Sequence, residues 1–213
     1  MPAGGSMENK LTLGGVVRSS HAYGADYLPE FQRILLQHVK PVTRAYLEWG
    51  MGHTTLAILE LRDRLAIDNL FSIDDSQPFL DQLLPQLPQW SGFHPVCLDL
   101  QGPKLGDRDP ELNYSTWPLS LERKFDFIFI DGRRRMECAF MATLLCHAET
   151  IVVLHDYRRA RYQPVKALYD IVEDGNQFRV MRLRTDLYPW ERRQSLPRTG
   201  HRPLERNGRL PRP

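Results

Sequence analysis

Five carboxylates stand at the ends of short apolar runs in this chain, and they are the groups best placed to do chemistry. Glu48 follows Ala45-Tyr46-Leu47, Asp74 follows Leu70-Phe71-Ser72-Ile73, and Asp99 follows Pro95-Val96-Cys97-Leu98. Asp131 follows Phe127-Ile128-Phe129-Ile130, and Asp156 follows Ile151-Val152-Val153-Leu154-His155. A carboxylate can accept hydrogen bonds from ligand hydroxyls, balance a cation, take up a proton or bind a hard metal ion. Beside the first acid lie Gly50 and Gly52, and beyond the fourth lies the basic run Arg133-Arg134-Arg135. Asp also favours turns for purely local reasons. That accounts for one or two such acids more easily than for five in succession.

The elements that must position these acids follow from the runs themselves. Apolar stretches without polar alternation suit strands buried on both faces of a parallel sheet. Strands are expected at 45–48, 69–74, 94–100, 125–131 and 151–154, with a sixth at 178–183. Tyr27, Leu28, Phe31, Ile34, Leu35 and Val39 recur at helical spacing and predict a leading helix over 26–39, broken by Pro41. Further helices are expected over 54–65, 79–87, 136–147 and 164–173, and a long loop, with or without a turn of helix, over 101–120. Strands alternating with helices make a doubly wound α/β sandwich. In such a sheet ligands bind beyond the carboxyl ends of the strands, where the five acids gather.

Composition narrows the class without choosing the reaction. With 213 residues, 42% hydrophobic and 25% charged, the chain has the profile of one ordinary globular domain. The domain is expected over 21–187, with an irregular leader over 1–20 and a basic, Pro- and Arg-rich, disordered tail over 188–213. The net charge of +2 names no partner, and the tail lacks the interleaved aromatics of a nucleic-acid stacking platform. Nucleic acid and membrane are therefore not expected as partners. Cys97, Cys138 and Cys146 show no metal-like spacing, and the first residues lack the pattern of a secretory signal. No apolar stretch reaches transmembrane length. A cytoplasmic protein with reduced thiols is expected.

The turn Glu48-Trp49-Gly50-Met51-Gly52-His53-Thr54-Thr55 joins the first strand to its helix. Glycines here allow a tight turn and close approach of a ligand to the main chain. A dinucleotide fingerprint needs a third small residue where Thr55 stands, and an acid at the mouth opposes a pyrophosphate. Such a mouth suits an ammonium or sulfonium group.

In these features the chain resembles the class I S-adenosylmethionine-dependent methyltransferases. Glu48, Gly50 and Gly52 match their acid-x-Gly-x-Gly motif, and the likeness spans residues 40–185. The resemblance implies a single-domain, mostly parallel Rossmann-like sheet flanked by helices, with S-adenosylmethionine as cofactor. It implies cofactor contacts from Glu48, Gly50, Gly52, Asp74 (ribose hydroxyls) and Asp99 (adenine). Asp131 corresponds to the position bordering the transferred methyl. The runs Asp131-Gly132-Arg133-Arg134-Arg135 and Leu154-His155-Asp156-Tyr157 are similar to those of a poorly characterised methyltransferase-like subgroup. The family sheet usually ends in an antiparallel hairpin. Here at most one strand is expected after Asp156, so the sheet is expected to be truncated at its last strands.

Candidate catalytic residues are Asp131, His155 and Asp156. Asp131 could orient or deprotonate an acceptor hydroxyl, or hold a divalent metal with Asp156, but Tyr157 stands where a further oxygen ligand such as Asn would be sought, and no metal is assigned. His155 could be a general base or a hydrogen-bonded strand-end residue. Asp99 could as well cap a turn, and Asp75 competes with Asp74 for the ribose. Arg133 to Arg135 could grip an anionic methyl acceptor or form a solvated charge run. The leading expectation is methyl transfer to an oxygen or nitrogen of a small molecule. The alternative is a non-catalytic nucleoside- or partner-binding domain that kept the fold, and a nicotinamide-dependent oxidoreductase ranks third.

Overall fold

A computed structural model describes residues 25–40, 44–102, 109–184 and 186. The whole of the expected leader and of the expected tail lies outside the described residues. Seven strands form one sheet in the order β3-β2-β1-β4-β5-β7-β6. They are β1 (Ala45–Trp49), β2 (Asn69–Asp74), β3 (Phe93–Cys97), β4 (Phe125–Ile130), β5 (Cys146–His155), β6 (Tyr169–Asp174) and β7 (Phe178–Leu183). β3, β2, β1, β4 and β5 run parallel, while β7 lies antiparallel between β5 and β6. The chain order reverses between β1 and β4, which is where an open α/β sheet opens its ligand crevice.

The central strands are apolar on both faces because both faces are covered. On β4, Phe127 and Phe129 enter one core and Ile128 and Ile130 the other. β5 divides Val153 from Val152 and Leu154 in the same way. The first core is closed by α1 (Leu28–His38), α2 (His53–Leu61) and α3 (Gln77–Leu83), through residues such as Phe31, Ile58 and Leu80. The second is closed by α4 (Pro110–Thr116) and α5 (Arg135–Leu145), through Tyr114, Cys138, Ala139 and Ala142.

Two expectations need correction. The sheet is complete, because residues 164–173 are not a helix. A 3-10 helix covers Ala160–Ala167 and β6 follows it. β6 is the sheet's edge, with Asp170, Ile171 and Val172 exposed, so its apolar content is too thin to announce a strand. The turn of helix allowed within the loop over 101–120 is present as α4, started by Pro110 and capped by the Asp109 carboxylate on the Glu111 N–H. Residues 103–108 lie outside the described residues. Among those described, no helix is long and apolar enough to cross a membrane.

Candidate functional site

The glycine turn is held from below. Gly50 has φ +94, and a Cβ there would lie 2.5 Å from the Gly132 nitrogen, so no other residue fits this backbone without displacing the turn after β4. The Gly50 N–H donates to the Ile73 carbonyl (2.7 Å), the Met51 N–H to Asp74 Oδ2 (3.1 Å) and the Gly52 N–H to Thr55 Oγ1 (2.9 Å). All three donors of the turn are thus committed within the protein. Gly52 faces open space: a Cβ there would meet nothing within 4 Å.

Glu48 lies under this turn, fully buried. The hydroxyls of Thr54 and Thr55 donate to it at 2.9 and 2.7 Å, and that of Ser72 at 2.9 Å. Burial pushes its carboxyl up to about 7, and the three hydroxyls partly counter the rise. Its side chain braces the turn from beneath.

Asp74 is also buried. Besides the Met51 N–H, its carboxylate accepts the N–H groups of Asp75 (2.9 Å) and Ser76 (3.1 Å). Asp75 is more exposed and pairs with Arg133 Nε at 3.3 Å. Asp99 is exposed and caps its own turn by accepting the Gln101 N–H at 2.8 Å.

Across the switch point, the ends of β4 and β5 bring Asp131, His155 and Asp156 together around one arginine. His155 Nδ1 lies 2.6 Å from Asp131 Oδ1. Arg135 reaches Asp131 at 2.7 Å and Asp156 at 3.3 Å, and also donates to the carbonyls of Gly132 (3.1 Å) and His155 (2.8 Å). Asp156, at φ +59, is also paired with Arg159 at 2.7 Å. With Nδ1 turned to the carboxylate, the other ring nitrogen of His155 is Nε2. That atom is buried and has no hydrogen-bond partner among the described residues.

Aromatic residues absent from the expected site complete it. The Tyr27 ring, just before α1, packs 5.2 Å from the His155 ring, and Phe178 stacks on that ring at 4.8 Å. Burial, then the charges of Asp131 and Glu48, push the Tyr27 phenol up to about 12, so it stays a neutral donor. Tyr114 accepts the Arg133 N–H at 3.3 Å and fixes the turn after β4. The i, i+4 spacing of Asp131 and Arg135 is the one signal in the sequence that could have suggested the clamp.

Two cavities meet here. One, of about 220 Å³, is lined by Gly50, Met51, Asp74, Asp131, Gly132, Arg133 and Arg135. The other, of about 350 Å³, shares Gly132, Arg133 and Arg135 as a wall. Of the candidate residues, Glu48, Gly52, Asp99, His155 and Asp156 line neither.

No family model and no curated protein matches this sequence. Solved structures do. A methyltransferase-like protein from Silicibacter pomeroyi aligns over 76% of this chain and 87% of its own, at 16% identity and TM-score 0.58. CalS11, a calicheamicin methyltransferase, aligns over 75% and 80% at 10% identity and TM-score 0.55. Its apo structure, described as a TDP-rhamnose 3'-O-methyltransferase, gives 75%, 81%, 10% and 0.54. The chain has the class I methyltransferase fold.

Proposed function

We propose that this chain, built on the class I methyltransferase fold, uses S-adenosylmethionine to methylate an oxygen or nitrogen of a small molecule. The observation that carries the reading is the cavity of about 220 Å³ at the switch point, which brings the glycine turn, Asp74 and Asp131 to one surface. The residues fit that cofactor on two counts. Gly52 leaves open space beside the turn for the ligand to approach. The N–H groups of Gly50, Met51 and Gly52 are committed within the protein, and the cavity sets the acids Asp74 and Asp131 beside Arg133 and Arg135, a lining with a partner for each charge of the cofactor's amino-acid end. The committed N–H groups leave fewer donors for the pyrophosphate of a nicotinamide dinucleotide.

Gly50, Gly52 and Asp74 would hold the cofactor, with Glu48 acting through the turn it braces. Asp99 is left to the far end, near the adenine. The bound cofactor supplies an activated methyl group on a sulfonium. The protein's own task is then to orient the acceptor and receive its proton. Asp131, which lines the cavity, takes that proton, and His155, whose Nδ1 lies 2.6 Å from its Oδ1, helps to hold the carboxylate in place. Asp156, through Arg135, fixes Asp131 in place. The description of CalS11 as acting on TDP-rhamnose supports a small-molecule acceptor.

Calorimetric titration with S-adenosylmethionine, S-adenosylhomocysteine and NAD tests the reading. Heat is expected for the first two. Heat with NAD alone would overturn it. The buried, internally bonded carboxylates of Glu48 and Asp74 favour a second reading, a non-catalytic nucleoside-binding domain. That reading predicts affinity without release of S-adenosylhomocysteine across a broad acceptor panel.

A further inference from the structure

The larger cavity, of about 350 Å³, is lined by five arginines: Arg133, Arg134, Arg135, Arg159 and Arg161. Carboxylates surround this cluster. Asp75 pairs with Arg133, Glu111 and Glu137 with Arg134, Asp131 and Asp156 with Arg135, and Asp156 with Arg159. Only Glu137 among these acids lines the cavity itself.

Two groups of this wall, Arg161 and Arg134 Nε, are not fully paired. Arg161 has no carboxylate partner among the described residues, although it is exposed and its guanidinium lies 4.8 Å over the Tyr162 ring. Arg135 lies 5.7 Å from the same ring, so two guanidinium groups of the wall lie near Tyr162. Arg134 Nε is buried without a hydrogen-bond partner. Arg134 is also the N-cap of α5, at φ +46, and no side chain caps that helix start. Four of the five arginines already meet carboxylates, which leaves Arg161 as the one guanidinium of the wall without one among the described residues, and the planar fork of N–H donors matches phosphate oxygens.

We infer that this cavity binds a phosphate or diphosphate group on the methyl acceptor, gripped chiefly by Arg159 and Arg161. Arg133 and Arg135 are shared with the smaller cavity, so an acceptor anchored by its phosphate presents its remaining atoms towards Asp131. The location rests on the arginine wall. The acceptor role rests on the methyl-transfer reading above.

The test uses the full chain and inorganic pyrophosphate, titrated calorimetrically in a low-salt, phosphate-free buffer, with S-adenosylhomocysteine titrated in parallel. Wild type is expected to bind pyrophosphate, with affinity falling as salt rises. The Arg159→Gln, Arg161→Gln double variant should lose roughly tenfold or more in that affinity, the order expected for charge-assisted hydrogen bonds. It should keep its melting temperature and its S-adenosylhomocysteine affinity. Arg161→Lys, which keeps the charge and loses the fork, should fall between. No binding of pyrophosphate by wild type, or equal binding by the double variant, overturns the site. Equal competition by acetate overturns the phosphate assignment. Pyrophosphate binding without S-adenosylhomocysteine binding overturns the acceptor role alone, so failure here is separable from failure of the proposed function.

Discussion

The two halves of the candidate site use the same residue type in opposite ways. On the β1–β2 side, Glu48 and Asp74 are buried, and their oxygens are taken by hydroxyls and backbone N–H groups. On the β4–β5 side, Asp131 and Asp156 are partly exposed and meet arginine and histidine side chains. Neutral donors fixed to the backbone make a rigid frame. Charged partners on side chains can trade protons and admit ligands. The first half should therefore report changes chiefly as stability, and the second chiefly as chemistry.

The largest effect expected from that contrast is on turnover. Asp131→Asn and His155→Gln should each cut methyl transfer by about 10²–10⁴-fold, the range for positioned acid–base groups, and leave S-adenosylhomocysteine affinity within a few-fold. Single-turnover assays with a responsive acceptor check this. Undiminished turnover in both variants would leave the β4–β5 cluster a structural clamp.

Gly50→Ala should be the costliest change on the other side, about 3–5 kcal/mol in urea unfolding. It combines a left-handed φ with a clash against the Gly132 backbone. Gly52→Ala should cost under about 1 kcal/mol, since its Cβ meets nothing and the backbone there is extended. If Gly52→Ala nevertheless weakens S-adenosylhomocysteine binding, the open space beside the turn is where the ligand lies.

Glu48 gives the frame a pH signature. Its carboxyl sits at about 7 in the fold against 4.5 ordinarily, so the unfolded chain ionises first as pH rises. Stability contributed here is intact below pH 4.5, declines between 4.5 and 7, and is flat above. The gap corresponds to about 3 kcal/mol. Urea midpoints at pH 5 and pH 8 should therefore differ less in Glu48→Gln than in wild type. An unchanged difference would mean that the three hydroxyls hold Glu48 ionised throughout.

Legibility in the sequence followed burial. β1, β2, β4 and the core of β5 were readable because strands covered on both faces must be apolar at every position. β6 was misread because an exposed edge strand needs no such run, and Pro164 suggested a helix start. The acids of the site were visible as strand ends, yet whether each one braces the frame or faces the cavity depends on its neighbours in space. Glu48 draws on Ser72, 24 residues away, and Tyr27 meets His155 only because α1 folds back over β5. Arg159 and Arg161 stand at the start of a short 3-10 helix, where no periodicity singles them out.

Asp74 and Asp75 put the contrast into two adjacent residues. Asp74 belongs to the frame; Asp75 crosses to the other half through its 3.3 Å contact with Arg133, a side chain 60% exposed. Asn at 74 would turn an amide N–H₂ towards backbone donors that need an acceptor, at a cost of about 1–3 kcal/mol. Asn at 75 removes one solvent-screened ion pair, worth at most about 1 kcal/mol and less in salt. The smallest effect is therefore expected from Asp75→Asn, in stability and in cofactor affinity alike. Paired urea titrations and S-adenosylhomocysteine calorimetry on the two variants decide the matter. A larger loss of affinity from Asp75→Asn would make Asp75 the ribose acceptor and leave Asp74 purely structural. The Arg133 contact would then be a bond that the cofactor displaces on entry.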